Sequence, residues 1–223
     1  MPNNLGKLRE YFNEHVSPCT MCSRDAVIGS FFSYDKLPPY ELANNATVLI
    51  IGHSPKVRTN SQSKITVTLD LNRGSALKEY ITEMILSPLG IALEVCAATN
   101  LVKCETKKEM PEDIRITGGR TFMERAFQHC AKHLENEISL FSPSLVISLS
   151  ETVAVLLQKR FLPDMKILQM QEIFGTKRRL TVKGNSYIWI PVVHIPKAKV
   201  RRYYFPDQLH RLEELHDQIQ DLL

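Results

Sequence analysis

Four short stretches hold residues able to do chemistry. Cys19 and Cys22 stand two residues apart in "SPCTMC", and "IIGHSPK" sets His53, Ser54 and Lys56 directly behind an apolar run that ends at Gly52. "ATNLVKC" places Asn100, Lys103 and Cys104 behind a second run, and "VVHIPKAKVRR" follows a third with His194, Lys197, Lys199, Arg201 and Arg202. A C-x-x-C serves as a redox pair, as half of a metal site or as neither, and its partners elsewhere decide. The neutral imidazole of His53 can take a proton from water or donate to a phosphate. An asparagine amide presents a donor and an acceptor together, enough to read a polar ring edge, although Asn after a strand is also a common turn former. The final run of cations has the chemistry of phosphate contacts, with a solvated face as the plainer reading.

These groups meet only if the elements behind them align. "ATVLIIG" (46–52), "ALEVCAATN" (92–100), "PSLVISLS" (143–150) and "NSYIWIPVVH" (185–194) read as buried strands. Helical periodicity runs through "LGKLREYFNEHV", from Gly74 to Leu89, from Thr121 to Phe141, through "ETVAVLLQKRF" and through the closing "DQLHRLEELHDQIQDLL". Long polar loops follow the first two strands. Strands alternating with helices predict an α/β fold, three layers α/β/α about a mostly parallel sheet. Ligands in such folds bind beyond the carboxyl ends of the strands, where the chemistry-bearing residues fall. The basic "GTKRRLTVKG" predicts a hairpin with a cationic edge that resists further pairing.

The 223 residues, 43% hydrophobic, suffice for one well-buried core, so a single domain over residues 1–223 is expected. No apolar run approaches the roughly 20 residues of a membrane span, and "MPNNLGKLREYF" lacks the apolar centre of a secretory signal. A cytoplasmic protein is expected, with no membrane partner and a monomer as the default. In a reducing compartment five cysteines point to ligands or nucleophiles rather than to a disulfide framework. A net charge of +4 permits a polyanionic partner without requiring one.

Taken in order, "VLIIGHSP", "TNLVKC", the Cys130 of "FQHCAKHLENE", "PSLVISLS" and "IWIPVVHIPKAKVRR" resemble the landmarks of the uracil-DNA glycosylase superfamily, in particular its iron–sulfur-containing branch. That branch opens with a C-x-x-C, then carries G-E-x-P-G after its first strand and T-N-x-V-K-C after its second. A fourth cysteine, a P-x-x-I-x-x-L-G strand and a closing H-P motif follow. The likeness spans roughly Pro18 to Arg202, and "TNLVKC" with the four cysteine positions is its most specific part. It implies a divergent DNA glycosylase of base excision repair, hydrolysing the N-glycosidic bond of uracil or another deaminated or damaged base. A non-catalytic nucleic-acid or nucleotide binder of the same fold is the alternative.

The resemblance implies that Cys19, Cys22, Cys104 and Cys130 hold a [4Fe–4S] cluster, with zinc as the alternative for four thiolates. Cys96 would be the spare. Asn100 matches the base-reading asparagine, and His194 the histidine that stabilises charge developing on the base oxygen. His53 and Ser54 stand where the branch has an acidic and a small apolar residue, and would position water. Lys56 replaces a glycine and, with Lys197, Lys199, Arg201 and Arg202, would contact DNA phosphates. Leu69 or Leu71 falls where an aromatic residue stacks on the flipped base.

Overall fold

The computed structural model describes residues 4–41, 46–55, 67–69, 71, 76–106, 122–194 and 198–223, with backbone alone for 4–5, 40–41 and 198–205. The chain starts with helix α1 (Asn4–Tyr11), prolonged by a π turn over Phe12–Val16, and the one-turn α2 (Met21–Arg24). Strands β1 (Phe32–Lys36), β2 (Tyr40–Glu41) and β3 (Val48–Gly52) come next, then α3 (Ala76–Ile81) with a π turn over Thr82–Leu86. After β4 (Cys96–Asn100) and β5 (Cys104–Thr106) come α4 (Phe122–Phe141), β6 (Leu145–Leu149), α5 (Glu151–Phe161) and α6 (Met170–Ile173). The hairpin β7 (Arg178–Val182) and β8 (Asn185–Val192) precedes α7 (Ala198–Glu214) and α8 (His216–Gln220).

The main sheet has the order β2-β4-β3-β6-β8-β7. Its four central strands are parallel, and β2 and β7 close the two edges antiparallel. Every residue of β3, β4 and β6 is buried, as a parallel strand covered on both faces requires. Successive side chains point to opposite faces. Leu49 and Ile51 therefore pack with Phe122 and Leu134 of α4 and Leu157 of α5, while Val48 and Ile50 pack with Ile81, Leu212 and Ile219 on the other side. The three layers expected from the sequence are present.

The edge strand β7 alternates instead, with Leu180 and Val182 buried and Arg179 and Thr181 exposed. Its two-residue turn to β8, Lys183 and Gly184, has φ of 49° and 81°, the left-handed pair of a type I′ hairpin. A Cβ on Gly184 would meet nothing, so glycine serves the backbone there and not the packing.

Several boundaries differ from the sequence expectation. Residues 74, 75 and 121 lie outside the described residues; from Ala76 the helix reaches only Leu86, and a turn through Gly90 (φ 67°) ends it. The strand expected over 92–100 begins at Cys96, after a 3-10 turn over Leu93–Val95. The stretch after Lys103, expected as loop, forms β5 and pairs with β1 in a separate antiparallel ribbon, Phe32 opposite Thr106 and Lys36 opposite Cys104. Neither short strand carries an alternating apolar pattern, and β1 turns exposed after Phe32. Among the described residues no helix is long and apolar enough to cross a membrane.

Candidate functional site

The carboxyl ends of β4, β3, β6 and β8 lie along one rim, because Gly52 pairs with Asn100, Ile51 with Ser148 and Leu149 with Val192. From β3 the chain crosses to β4 on one side, and from β6 to β8 on the other. The crevice between the ends of β3 and β6 is thus the topological switch point, where open α/β sheets take their ligands.

Asn100 closes β4 and is 3% exposed. Its Oδ1 is buried and has no hydrogen-bond partner among the described residues. A Cβ placed on Gly52 would come within 2.5 Å of that oxygen and 3.0 Å of Leu69 Cδ1. Glycine at position 52 is therefore a matter of space: the amide and the leucine close over its bare Cα. Leu69 itself has φ 47° and is half-buried. Leu71, expected as a second candidate for covering a base, is instead fully buried within the core on the α3 side, so only Leu69 of the two stands at the rim.

Beyond the sheet the loops after β3 and β4 stay zipped together. The N–H groups of Leu101, Val102 and Thr106 donate to the carbonyls of Gly52 (2.8 Å), His53 (3.0 Å) and Pro55 (2.8 Å). This pins the half-buried His53 and Ser54 beside the Asn100 turn. His53 Nδ1 lies 3.1 Å from Ser54 Oγ, which is 3.5 Å from Thr106 Oγ1. An imidazole linked to a hydroxyl can orient water and accept its proton.

His194, exposed, follows the last strand. The residue before it is locked: Val193 N–H donates to Gln208 Oε1 at 2.7 Å, and Tyr80 Oη donates to the Val193 carbonyl while accepting from Gln208 Nε2 at 3.1 Å. Burial pushes the Tyr80 hydroxyl up to about 12, so it remains a donor. Two strands separate β4 from β8, so Asn100 and His194 flank the crevice from strands about 14 Å apart.

Two rim residues carry signals that sequence reasoning missed. Ser150 follows β6 with φ 101° and ψ 155°, a region adopted almost only by glycine. Its N–H donates to the Val192 carbonyl at 2.9 Å, and its hydroxyl caps α5 by accepting from Val153 N–H. A Ser opening a helix is readable as a cap; the strain is not. Lys103, which the sequence places just behind the second apolar run, is 4% exposed and turned inward, its Nζ bonded to Thr99 Oγ1, the Asn100 carbonyl and Glu137 Oε2. Lys56 and Lys197 lie outside the described residues. Lys199, Arg201 and Arg202 fall within α7, where the backbone alone is described.

Behind the Asn100 turn the thiols gather. Cys22 Sγ is 3.8 Å from Cys130 Sγ and 3.7 Å from the Ala126 carbonyl, and the Cys104 thiol is close enough to perturb it. Hydrogen bonds to those two sulfurs, with burial, push the Cys22 thiol far up; the same bonds push Cys104 and Cys130 down, aided at Cys130 by the Lys103 N–H at 3.5 Å. Cys19, half-buried, lies on the turn before α2. Asp25 fastens this segment to α4 through Arg125 Nε (2.8 Å) and His129 Nε2 (2.7 Å). Cys96 is apart, in the opposite core, its thiol against the Ala92 carbonyl and pushed up to about 12 by burial. Among the described residues no group of three or more His, Cys, Asp or Glu is placed so that it could hold a metal ion. The sulfurs of Cys22 and Cys130, buried and 3.8 Å apart, are nevertheless donors of the type a soft metal takes.

No individually curated protein matches the chain. The family model described as "Uracil DNA glycosylase superfamily" matches residues 39–215.

Proposed function

Because the chain belongs to the uracil-DNA glycosylase superfamily, we propose that it is a DNA glycosylase of base excision repair, hydrolysing the N-glycosidic bond of uracil or another deaminated or damaged base. The observation that carries this reading is the buried Asn100 Oδ1, which has no partner among the described residues and lies over Gly52 at the switch point. A buried acceptor left unpaired costs about 1–3 kcal/mol. A flipped base with a ring N–H beside a carbonyl would satisfy it, because one amide can accept from the N–H and donate to the carbonyl.

The residues then divide the work. Leu69 covers the base, with apolar contact in place of ring stacking. As the C1′–N bond breaks, its electron pair moves onto the base, and His194 donates to the base oxygen where negative charge grows. His53, linked to Ser54, holds the water that adds to C1′ and accepts its proton. Lys56, Lys197, Lys199, Arg201 and Arg202 grip the phosphates on either side of the extruded nucleotide. Cys19, Cys22, Cys104 and Cys130 would hold a [4Fe–4S] cluster, or zinc. Such a group would supply a cross-link among the N-terminal segment, β5 and α4 rather than a chemical step.

The test is base release. Oligonucleotides carrying uracil or hypoxanthine should acquire alkali-labile abasic sites, and Asn100→Ala and His194→Ala should each slow this about a hundred- to a thousandfold, the usual cost of a lost preorganised donor. DNA bound without release of any damaged base would overturn the catalytic reading in favour of a binding protein of the same fold.

A further inference from the structure

A lysine and a glutamate, Lys103 at 4% exposure and Glu137 at 2%, form an ion pair of 2.5 Å in the interior. All three Nζ protons are used, on Thr99 Oγ1 (2.8 Å), the Asn100 carbonyl (2.6 Å) and Glu137 Oε2. Thr99 Oγ1 donates in turn to the same Glu137 oxygen at 2.8 Å. Glu137 Oε1, however, is buried with no partner among the described residues. A buried pair with an unsatisfied oxygen is a poor device for stability alone, because desolvation cancels much of the attraction. Its distinctive feature is what Lys103 touches. The ammonium ties the main chain of Asn100 to α4, and the backbone N–H of Lys103 itself donates to Cys130 Sγ at 3.5 Å.

We infer that the Lys103–Glu137 pair is a positioning device: it fixes the main chain of Asn100, and so the aim of its amide, against α4 and the thiol cluster. The inference rests on the reading of Asn100 as the base-reading amide. Lys103 touches no substrate and acts through Asn100. Displacing a positioned group by about 1 Å costs on the order of a hundredfold in rate, so the pair should appear in kcat more than in KM.

The experiment replaces both partners, since removing one would leave a buried charge. Lys103→Met with Glu137→Leu fills the space with apolar groups, and Lys103→Met with Glu137→Gln is prepared in parallel as a second filling. Two readouts are taken on the full chain with matched metal content. The first is the side-chain 15N amide signal pair of Asn100, assigned by its loss in Asn100→Ala. The second is turnover on the damaged oligonucleotide. Expected are a native-like melting temperature, a shifted or broadened Asn100 amide pair, and kcat lowered about a hundredfold with KM nearly unchanged. A folded double variant whose Asn100 signals and kcat both match the wild type overturns the inference. If the wild type itself releases no base, the glycosylase reading fails, and the amide signals alone decide the positioning role.

Discussion

Asn100 Oδ1 and Gly52 face each other across paired strands so closely that a single added methyl would sit 2.5 Å from the oxygen. The amide is held by the absence of a side chain opposite it. Gly52→Ala must therefore move Asn100, Leu69 or both, since neither strand can yield inside the buried centre of the sheet. Overpacking of this kind costs roughly 1–3 kcal/mol, and a 1 Å displacement of the amide about a hundredfold in turnover. Thermal melting and base release on the same sample check this; wild-type turnover in Gly52→Ala would disconnect the glycine from the site.

Ser150 gives a prediction of opposite sign. Its φ of 101° and ψ of 155° lie where a non-glycine residue costs on the order of 1–3 kcal/mol. Its cap on α5 is lost in Ser150→Gly, but glycine at an N-cap costs only a few tenths of a kcal/mol. Relief of strain outweighs loss of the cap, so the variant should be more stable by about 1–2 kcal/mol, measured by urea unfolding. A destabilised variant would show that the hydroxyl matters more than the backbone.

How much of this was legible beforehand follows from the range of each interaction. Strands β3, β4 and β6 announce themselves because burial on both faces makes them largely apolar, and the polar residues at the ends of their runs, His53 and Asn100, are then assigned to the rim without further information. Lys103 was not legible as a buried residue. Its counter-charge is 34 positions away on α4, and a lysine in a polar loop gives no sign of facing inward. The β1–β5 ribbon was missed for a similar reason: its five- and three-residue strands come from distant parts of the chain and are too short for alternation to register as a signal. The closeness of Cys22, Cys104 and Cys130 was suggested only by the family resemblance; spacing along the chain contains nothing that brings them together.

The cysteines separate by position in the two cores. Cys22→Ala, Cys104→Ala and Cys130→Ala should each deplete bound iron and sulfide, or zinc, in anaerobically purified protein. Cys96→Ala should leave metal content unaltered, because its thiol belongs to the opposite core. Stripping the metal should lower the melting temperature and loosen α2 against α4. Metal analysis that finds none in the wild type, or equal loss in Cys96→Ala, removes the metal-site proposal.

The cations after His194 are tested by salt. If Lys199, Arg201 and Arg202 contact phosphates, each replacement by Ala should lower the magnitude of the slope of log affinity against log salt by about 0.7–0.9. Effects on affinity without a change of slope would assign these residues to helix packing and not to DNA.

The N-terminal helix gives the pH dependence. Tyr11 Oη lies within hydrogen-bond distance of His133 Nδ1 (3.0 Å) and accepts from Asn136 Nδ2 (2.6 Å), tying the N-terminal helix to α4. Burial, with the positive charges of Lys103, His15, Lys132 and Lys36 around it, pushes His133 down to about 4. In the unfolded chain the ring takes its proton near pH 6.5. Between those values the unfolded state binds more protons than the folded one, so stability rises with pH across this window. The contribution is complete above about pH 6.5 and is lost as pH falls through the folded value. The ring is half-buried, and solvent screening limits the effect to roughly 1–3 kcal/mol. Melting temperatures of the wild type and His133→Gln, followed from pH 7 to pH 4 at equal metal content, should converge as the wild type loses this increment. Parallel curves would show that the ring does not titrate below its ordinary range, and would place the acid sensitivity of the α1–α4 contact elsewhere.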